Sequence, residues 1–285
     1  MKIYSLITLY HPQKENIDNV FNIAKQVEKV FVIDNSCKDN KNFFNSEENI
    51  LYQNMQTNSG LSIGFNSILK NFNFEDDDYI IFFDQDTIIH SNFINEFIQC
   101  YSFIENSVRI GCLSPIRVDR FSGKPEITNC KSEIQQGYFS VQNVITSSLL
   151  TKYKILRDVN FWNENIFLDM ADWDFSWRLL RKKYINIITD KVSIKHSIGN
   201  GTKKVSFFKI DMCAPIREYY IIRDGYKLLF SNVPPIKKKI TLLYVLTFRS
   251  LLHILFLSEK KKRLKYMFCG FCDFLMNKKG AIKNK

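Results

Sequence analysis

The sequence contains no internal repeat and no low-complexity linker, which leaves one large domain or one domain with an appendage. Its seven cysteines are odd in number and show no metal-like spacing. That argues against a disulfide framework and for a reducing, cytosolic compartment. Cys269-Gly270-Phe271-Cys272 has redox spacing, but without a βαβ context it reads as two thiols on a helix face. No small-residue cleavage site follows the apolar run Ile3 to Tyr10, so this run is expected to be a first strand rather than a signal peptide. No glycine-rich loop with Arg or Lys lies near that strand, which weighs against a nucleotidyltransferase. No Lys-Ser or Lys-Thr follows Gly60 and Gly64, so they do not form a phosphate-loop motif.

Net charge is also missing from most of the chain. Of the 40 Lys and Arg and 29 Asp and Glu, residues 236–285 hold 13 and 2, so the whole excess of +11 lies there. A nucleic-acid enzyme would carry a basic groove through its body, so nucleic acid is not an expected partner. A basic, apolar tail suits an anionic membrane surface instead, and a membrane-associated scaffold without catalysis is the alternative class.

What is present is a core. At 45% apolar and 14% aromatic the chain buries enough surface for a large α/β domain. Tyr79-Ile80-Ile81-Phe82-Phe83 runs directly into Asp84-Gln85-Asp86. A continuous apolar run reads as a central parallel strand, and ligands of open α/β sheets sit outside the carboxyl ends of such strands. Two carboxylates there repel each other and suit a hard cation such as Mg²⁺ or Mn²⁺; the bland reading is a turn capping the next helix. Val30 to Asp34 repeats the pattern, with Asp34 suited to a ribose hydroxyl or base N–H, or equally to a cap. Gly60 permits a tight turn and Gly64 a close approach of helix to ligand or sheet.

Alternating strand and helix signals up to about residue 113 predict a parallel, doubly wound sheet. Residues 114–140 carry no clear pattern. Val141 to Leu150 is β-branched and small and ends near a helix that carries Tyr153 and Leu156, and Ile185 to Thr189 and Lys191 to His196 read as two short strands. Pro215 to Phe230 reads as one helix. Ile240 to Ser258 is almost wholly apolar but carries Arg249 and His253, so an interfacial or core helix is preferred over a span. Phe268 to Met276 is a second interfacial candidate. The expected division is a catalytic domain over 1–230 and a basic, apolar helical tail over 231–285.

Six motifs in order carry a resemblance: Thr8-Leu9-Tyr10, Val32-Ile33-Asp34-Asn35-Ser36, Asn58-Ser59-Gly60 through Asn66, Asp84-Gln85-Asp86, Asp169 to Arg178, and His196-Ser197-Ile198-Gly199. Together they resemble the GT-A glycosyltransferases of family 2, most closely the bacterial rhamnosyltransferase-like branch. The resemblance implies a Rossmann-like, mostly parallel sheet flanked by helices. It implies an inverting transfer of a sugar, rhamnose from dTDP-rhamnose or a sugar from a UDP donor, onto a lipid-linked surface polysaccharide such as O-antigen. It assigns Thr8, Asp34, Gly60, Asn66 and Asp84 to the donor, Asp86 and His196 to Mg²⁺ or Mn²⁺, and the role of catalytic base to Asp172. Ala171 replaces the family's usual acidic residue or Val before that base. Without the resemblance, Asp172 reads as a helix cap, His196 as structural, Trp173 and Trp177 as core, and Asp174 with Arg178 as a helical ion pair. Arg178, less than two turns on, is expected to keep Asp172 ionised.

Overall fold

A computed structural model describes residues 1–119, 125–126, 130–196, 202–205 and 208–283. The first half alternates strand and helix: β1 (Ile3–Leu9), α1 (Lys14–Ala24), β2 (Lys29–Asp34), β3 (Ile50–Asn54), α2 (Gly60–Leu69), β4 (Tyr79–Asp84) and α3 (Phe93–Glu105). Their apolar runs are buried on both sides of the sheet, which is why they read as continuous rather than alternating. β3, β2, β1 and β4 lie side by side and parallel. Thr8 of β1 stands opposite Ile33 and Asp84, and Leu9 opposite Asp34. One row of strand ends therefore carries three of the expected donor residues, at the point where the chain order reverses.

Beyond α3 the sheet becomes mixed, with β5 (Ile110–Asp119), β6 (Pro125–Glu126), β7 (Cys130–Gln135), β8 (Tyr138–Val141) and β9 (Leu149–Lys152). After α4 (Tyr153–Asp158) and α5 (Ala171–Arg181), β10 (Ile185–His196) completes a ten-stranded sheet of order β3-β2-β1-β4-β9-β5-β10-β8-β7, with β6 paired to β5. β9 runs antiparallel between β4 and β5. One sequence reading changes here. The two short strands expected over 185–196 are one strand whose register shifts between Thr189 and Ser193, a bulge that a local pattern reads as a break. Val141 to Leu150 is strand only at its ends. In between, Ser176 Oγ accepts the Val144 N–H and Leu149 N–H closes a turn on the Thr146 carbonyl, so the backbone there is used in loop bonds rather than a strand ladder.

The chain ends in a hairpin, β11 (Thr202–Val205) and β12 (Phe208–Asp211), and four helices: α6 (Arg217–Phe230), α7 (Ile236–Tyr244), α8 (Ser250–Phe256) and α9 (Lys260–Leu275). A π turn, Val245–Arg249, joins α7 to α8. Residues 236–256 are long and apolar enough to cross a membrane by length and composition alone. Leu242, Leu246, Ser250 and His253 are nonetheless buried, Leu246 against Gly225 of α6 and His253 against Glu218. α9 lies along the same helix, its Gly270 so close that a Cβ would come within 2.5 Å of the Tyr219 carbonyl.

Candidate active site

The site grows from the strand ends. Asp84 closes β4, and Ser147, a buried residue of the 142–148 loop, donates its hydroxyl to Asp84 Oδ2. Gln85 accepts the Tyr10 N–H at 2.8 Å, tying the exit of β1 to that of β4. A cleft of about 200 Å³ opens here, lined by Thr8, Tyr10, Asn35, Asn58, Gly60, Asp84, Gln85 and Phe167 among others. Of the expected donor residues, Thr8, Gly60 and Asp84 meet in this one wall. Gly60 has φ +79° and a Cβ there would lie 2.6 Å from Phe167, so both its backbone and its surroundings require glycine. Gly64 serves the sheet, its Cα side 3.0 Å from Ile33 once a Cβ is built.

Asp34 and Asn66 are not in that wall. Asp34 is fully buried and its oxygens accept from Ser36 N–H, Asn40 and Tyr52 OH at 2.7 to 2.8 Å. The neighbouring Asn35 takes the wall position, accepting from the Ser59 N–H and hydroxyl. Asn66 donates to the Trp162 carbonyl and Glu164 and accepts the Trp162 N–H, bracing α2 against the 162–164 segment.

Opposite the strand ends stands the start of α5. Met170 occupies its cap position, so Asp172 lies inside the first turn rather than at the cap. The Asp172 carboxyl is pushed up to about 7, first by burial and then by the charges of Asp169 and Asp84, against the Trp173 N–H that bonds it at 2.8 Å. The expectation that Arg178 holds it ionised fails. Arg178 faces away, bonding Asp174 at 2.7 Å and the carbonyls of Val159 and Phe161. The Asp174–Arg178 helical pair is therefore present, and Trp177 is fully buried core with Trp173 packed against it.

The residues that sequence reasoning missed come from this side. Phe167 donates its N–H to Asp224 of α6 at 2.8 Å, accepts that of Leu61, and stacks on Tyr220 at 4.3 Å. Asp169 is gripped by Arg217 of α6 through Nε and Nη2. No local signal marks partners 48 or 57 residues apart; Tyr10, Asn35 and Gln85, by contrast, sit inside motifs already singled out.

Asp84 and Asp86 are both partly exposed at the open end of β4, a hard-oxygen donor set that fits a divalent cation. An isolated bridge between Ile88 and Lys195 brings the end of β10 beside the residues after Asp86. The backbone thus carries His196 to the same sheet edge, opposite Asp119; its side chain, and Ser197 to Gly201, lie outside the described residues. A second donor cluster, Cys213, Glu218 and His253, lies within 4.8 Å. Here the cation is already supplied: Arg263 donates to Glu218 at 2.9 Å and to the Cys213 carbonyl at 2.7 Å, and burial pushes the Cys213 thiol up to about 11. This is an ion-pair lock holding α8 and α9 to α6.

No family model matches the chain. The "dTDP-rhamnosyl transferase RfbF" of Shigella flexneri is 26% identical over 278 residues, covering 93% of this chain and 91% of that protein. S. aureus TarS, residues 1–349, aligns with a TM-score of 0.57 at 15% identity over 96% of this chain and 81% of that one. The mannosyltransferase PcManGT from Pyrobaculum calidifontis, solved with GDP-Man and Mn²⁺, aligns at 0.59 and 11% identity over 98% and 88%. The fold is that of the GT-A glycosyltransferases, as the sequence motifs led one to expect.

Proposed function

We propose that this glycosyltransferase transfers rhamnose from dTDP-rhamnose, with inversion, to a lipid-linked acceptor of a bacterial surface polysaccharide. The observation that carries this reading is the juxtaposition of Asp172 with the cleft: its carboxyl feels the charge of Asp84, which lines the cleft with Thr8 and Gly60. The Shigella relative supports dTDP-rhamnose over a UDP-sugar.

Thr8, Asn35 and Gly60 would border the nucleotide, and Asp84 its sugar. Mg²⁺ or Mn²⁺ held by Asp86 and His196 would offset the charge of the donor diphosphate. Asp172 accepts the proton of the acceptor hydroxyl as that oxygen attacks the anomeric carbon from the face opposite the leaving diphosphate. A base that titrates near the working pH combines a large ionised fraction with useful proton affinity, which fits a carboxyl near 7.

The lipid-linked acceptor agrees with the outer face of the C-terminal helices. Ile240, Leu243, Leu251 and Leu255 of α7 and α8 and Leu264 and Phe268 of α9 are exposed, beside the lysine clusters 237–239 and 260–262. That combination is suited to peripheral attachment at the cytoplasmic face of the plasma membrane. The test is a thermal-shift panel of dTDP-rhamnose, UDP-sugars and GDP-mannose, with and without Mn²⁺. Stabilisation by dTDP-rhamnose that EDTA removes is expected; stabilisation by a UDP-sugar alone replaces the donor, and none by any nucleotide sugar overturns the reading.

A further inference from the structure

Two arginines from the C-terminal helices stand beside the catalytic corner, and one of them has no hydrogen-bond or ion-pair partner among the described residues. Arg217, the first residue of α6, is committed to Asp169. Arg249 comes from the π turn, whose wide winding is set by Ser250 Oγ bonding the Val245 carbonyl five residues back. π turns are uncommon and gather at functional sites. One turn beyond Arg249, His253 is fixed to Glu218 at 2.7 Å, and Glu218 is the residue next to Arg217. Arg249 is thereby held at the end of α6 that faces the site, near enough for its charge to act on Asp169, Glu218 and Cys213.

None of those groups bonds it. Glu218 is taken by Arg263 and His253, and Asp169 by Arg217. Among the described residues no hydrogen bond or ion pair engages the Arg249 guanidinium, although it is half-buried in an otherwise apolar helix. The same corner leaves Asp169 Oδ2 buried without a hydrogen-bond partner.

We propose that Arg249, whose charge reaches the same Asp169 that Arg217 grips, is an anion subsite for a diphosphate at the junction between the catalytic cleft and the apolar outer face. A planar guanidinium offers paired N–H donors that match phosphate oxygens, and an unengaged one beside a carboxylate-rich cleft lowers the repulsion a phosphate would meet there. This inference rests on the glycosyltransferase reading, in which two diphosphates are available: that of the nucleotide donor, and one joining sugar to lipid in the acceptor.

The test uses the full chain with Arg249→Met and Arg249→Lys, titrated with dTDP in the presence of Mn²⁺, with farnesyl diphosphate, and with farnesol as the uncharged control. Loss of a charge-assisted contact lowers affinity by about 10- to 100-fold. That loss in Arg249→Met, with a lesser one in Arg249→Lys and farnesol binding unchanged, is the expected result. Confined to farnesyl diphosphate it assigns the subsite to the acceptor; confined to dTDP it assigns it to the donor. Parental affinities for both diphosphates in Arg249→Met, or equal losses for farnesol and farnesyl diphosphate, overturn the proposal. Failure of the transferase reading shows separately, as absence of stabilisation of the parent by any nucleotide sugar.

Discussion

A carboxyl that titrates near 7 in the fold and near 4 when unfolded makes the ionised protein less stable, and Asp172 is such a group. Its folded value is raised, so its contribution is fully present below the unfolded value and is lost as pH rises through the folded one. Asp172→Asn is therefore expected to melt above the parent at about pH 8, with the difference vanishing near pH 4. Turnover should fall by about 10²–10⁴, and the parent's own turnover should rise with pH along a limb centred near 7. A mutant with near-parental turnover moves the base elsewhere. Asp86 tests the cation: Asp86→Asn keeps side-chain volume but loses charge, so its donor affinity with Mn²⁺ should fall to the parent's value in EDTA. Affinity equal to the parent's in both conditions removes Asp86 from the cation site. The strand-exit carboxylates were legible because an apolar run ending in Asp is a local pattern. The environment of Asp172 was not, because it is set first by burial and then by the charges of Asp169 beside it and Asp84 of β4, rather than by Arg178 on its own helix.

At the scale of elements, α6 organises the side of the site that stands opposite the strand ends. Its Arg217 and Asp224 hold Asp169 and Phe167, while its outer face receives α9. Tyr219 donates to Asp273 and Arg223 to the Gly280 carbonyl, so α9 and the residues after it brace the helix that braces the cleft. The sequence predicts the helices themselves from their apolar runs, but not this packing: Gly270 looked like a spacer between two cysteines, and Cys269 and Cys272 are free thiols on α9. The glycine is there because α6 and α9 approach too closely for a Cβ. Gly270→Ala should lower stability by about 1–3 kcal/mol, the usual cost of overpacking, read as a fall in melting temperature. A parental melting temperature would mean that the two helices separate easily.

Across the whole molecule, charge and apolar surface are sorted to one side. The excess of +11 lies in residues 236–285, and the same residues expose the apolar face of α7 to α9. Such a face binds an anionic bilayer through two additive terms, buried apolar area and about 1 kcal/mol for each lysine near the surface. Deleting the tail is a poor test of this, because it also strips Ile222 of α6 of its cover, Leu246 and Met267. Changing residues that are mostly exposed to solvent separates the two roles. Leu264 and Phe268 are 57% and 68% exposed, so Leu264→Glu with Phe268→Glu is expected to leave the packing of α9 on α6 intact while adding two negative charges to its exposed side. The double mutant should keep the parental melting temperature and remain in the supernatant with phosphatidylglycerol vesicles that sediment the parent. Parental binding should weaken as salt is raised, since screening reaches the lysine term but not the apolar one. If the double mutant sediments like the parent, this face is not the one that meets the membrane, and the sorted charge of the tail serves another partner.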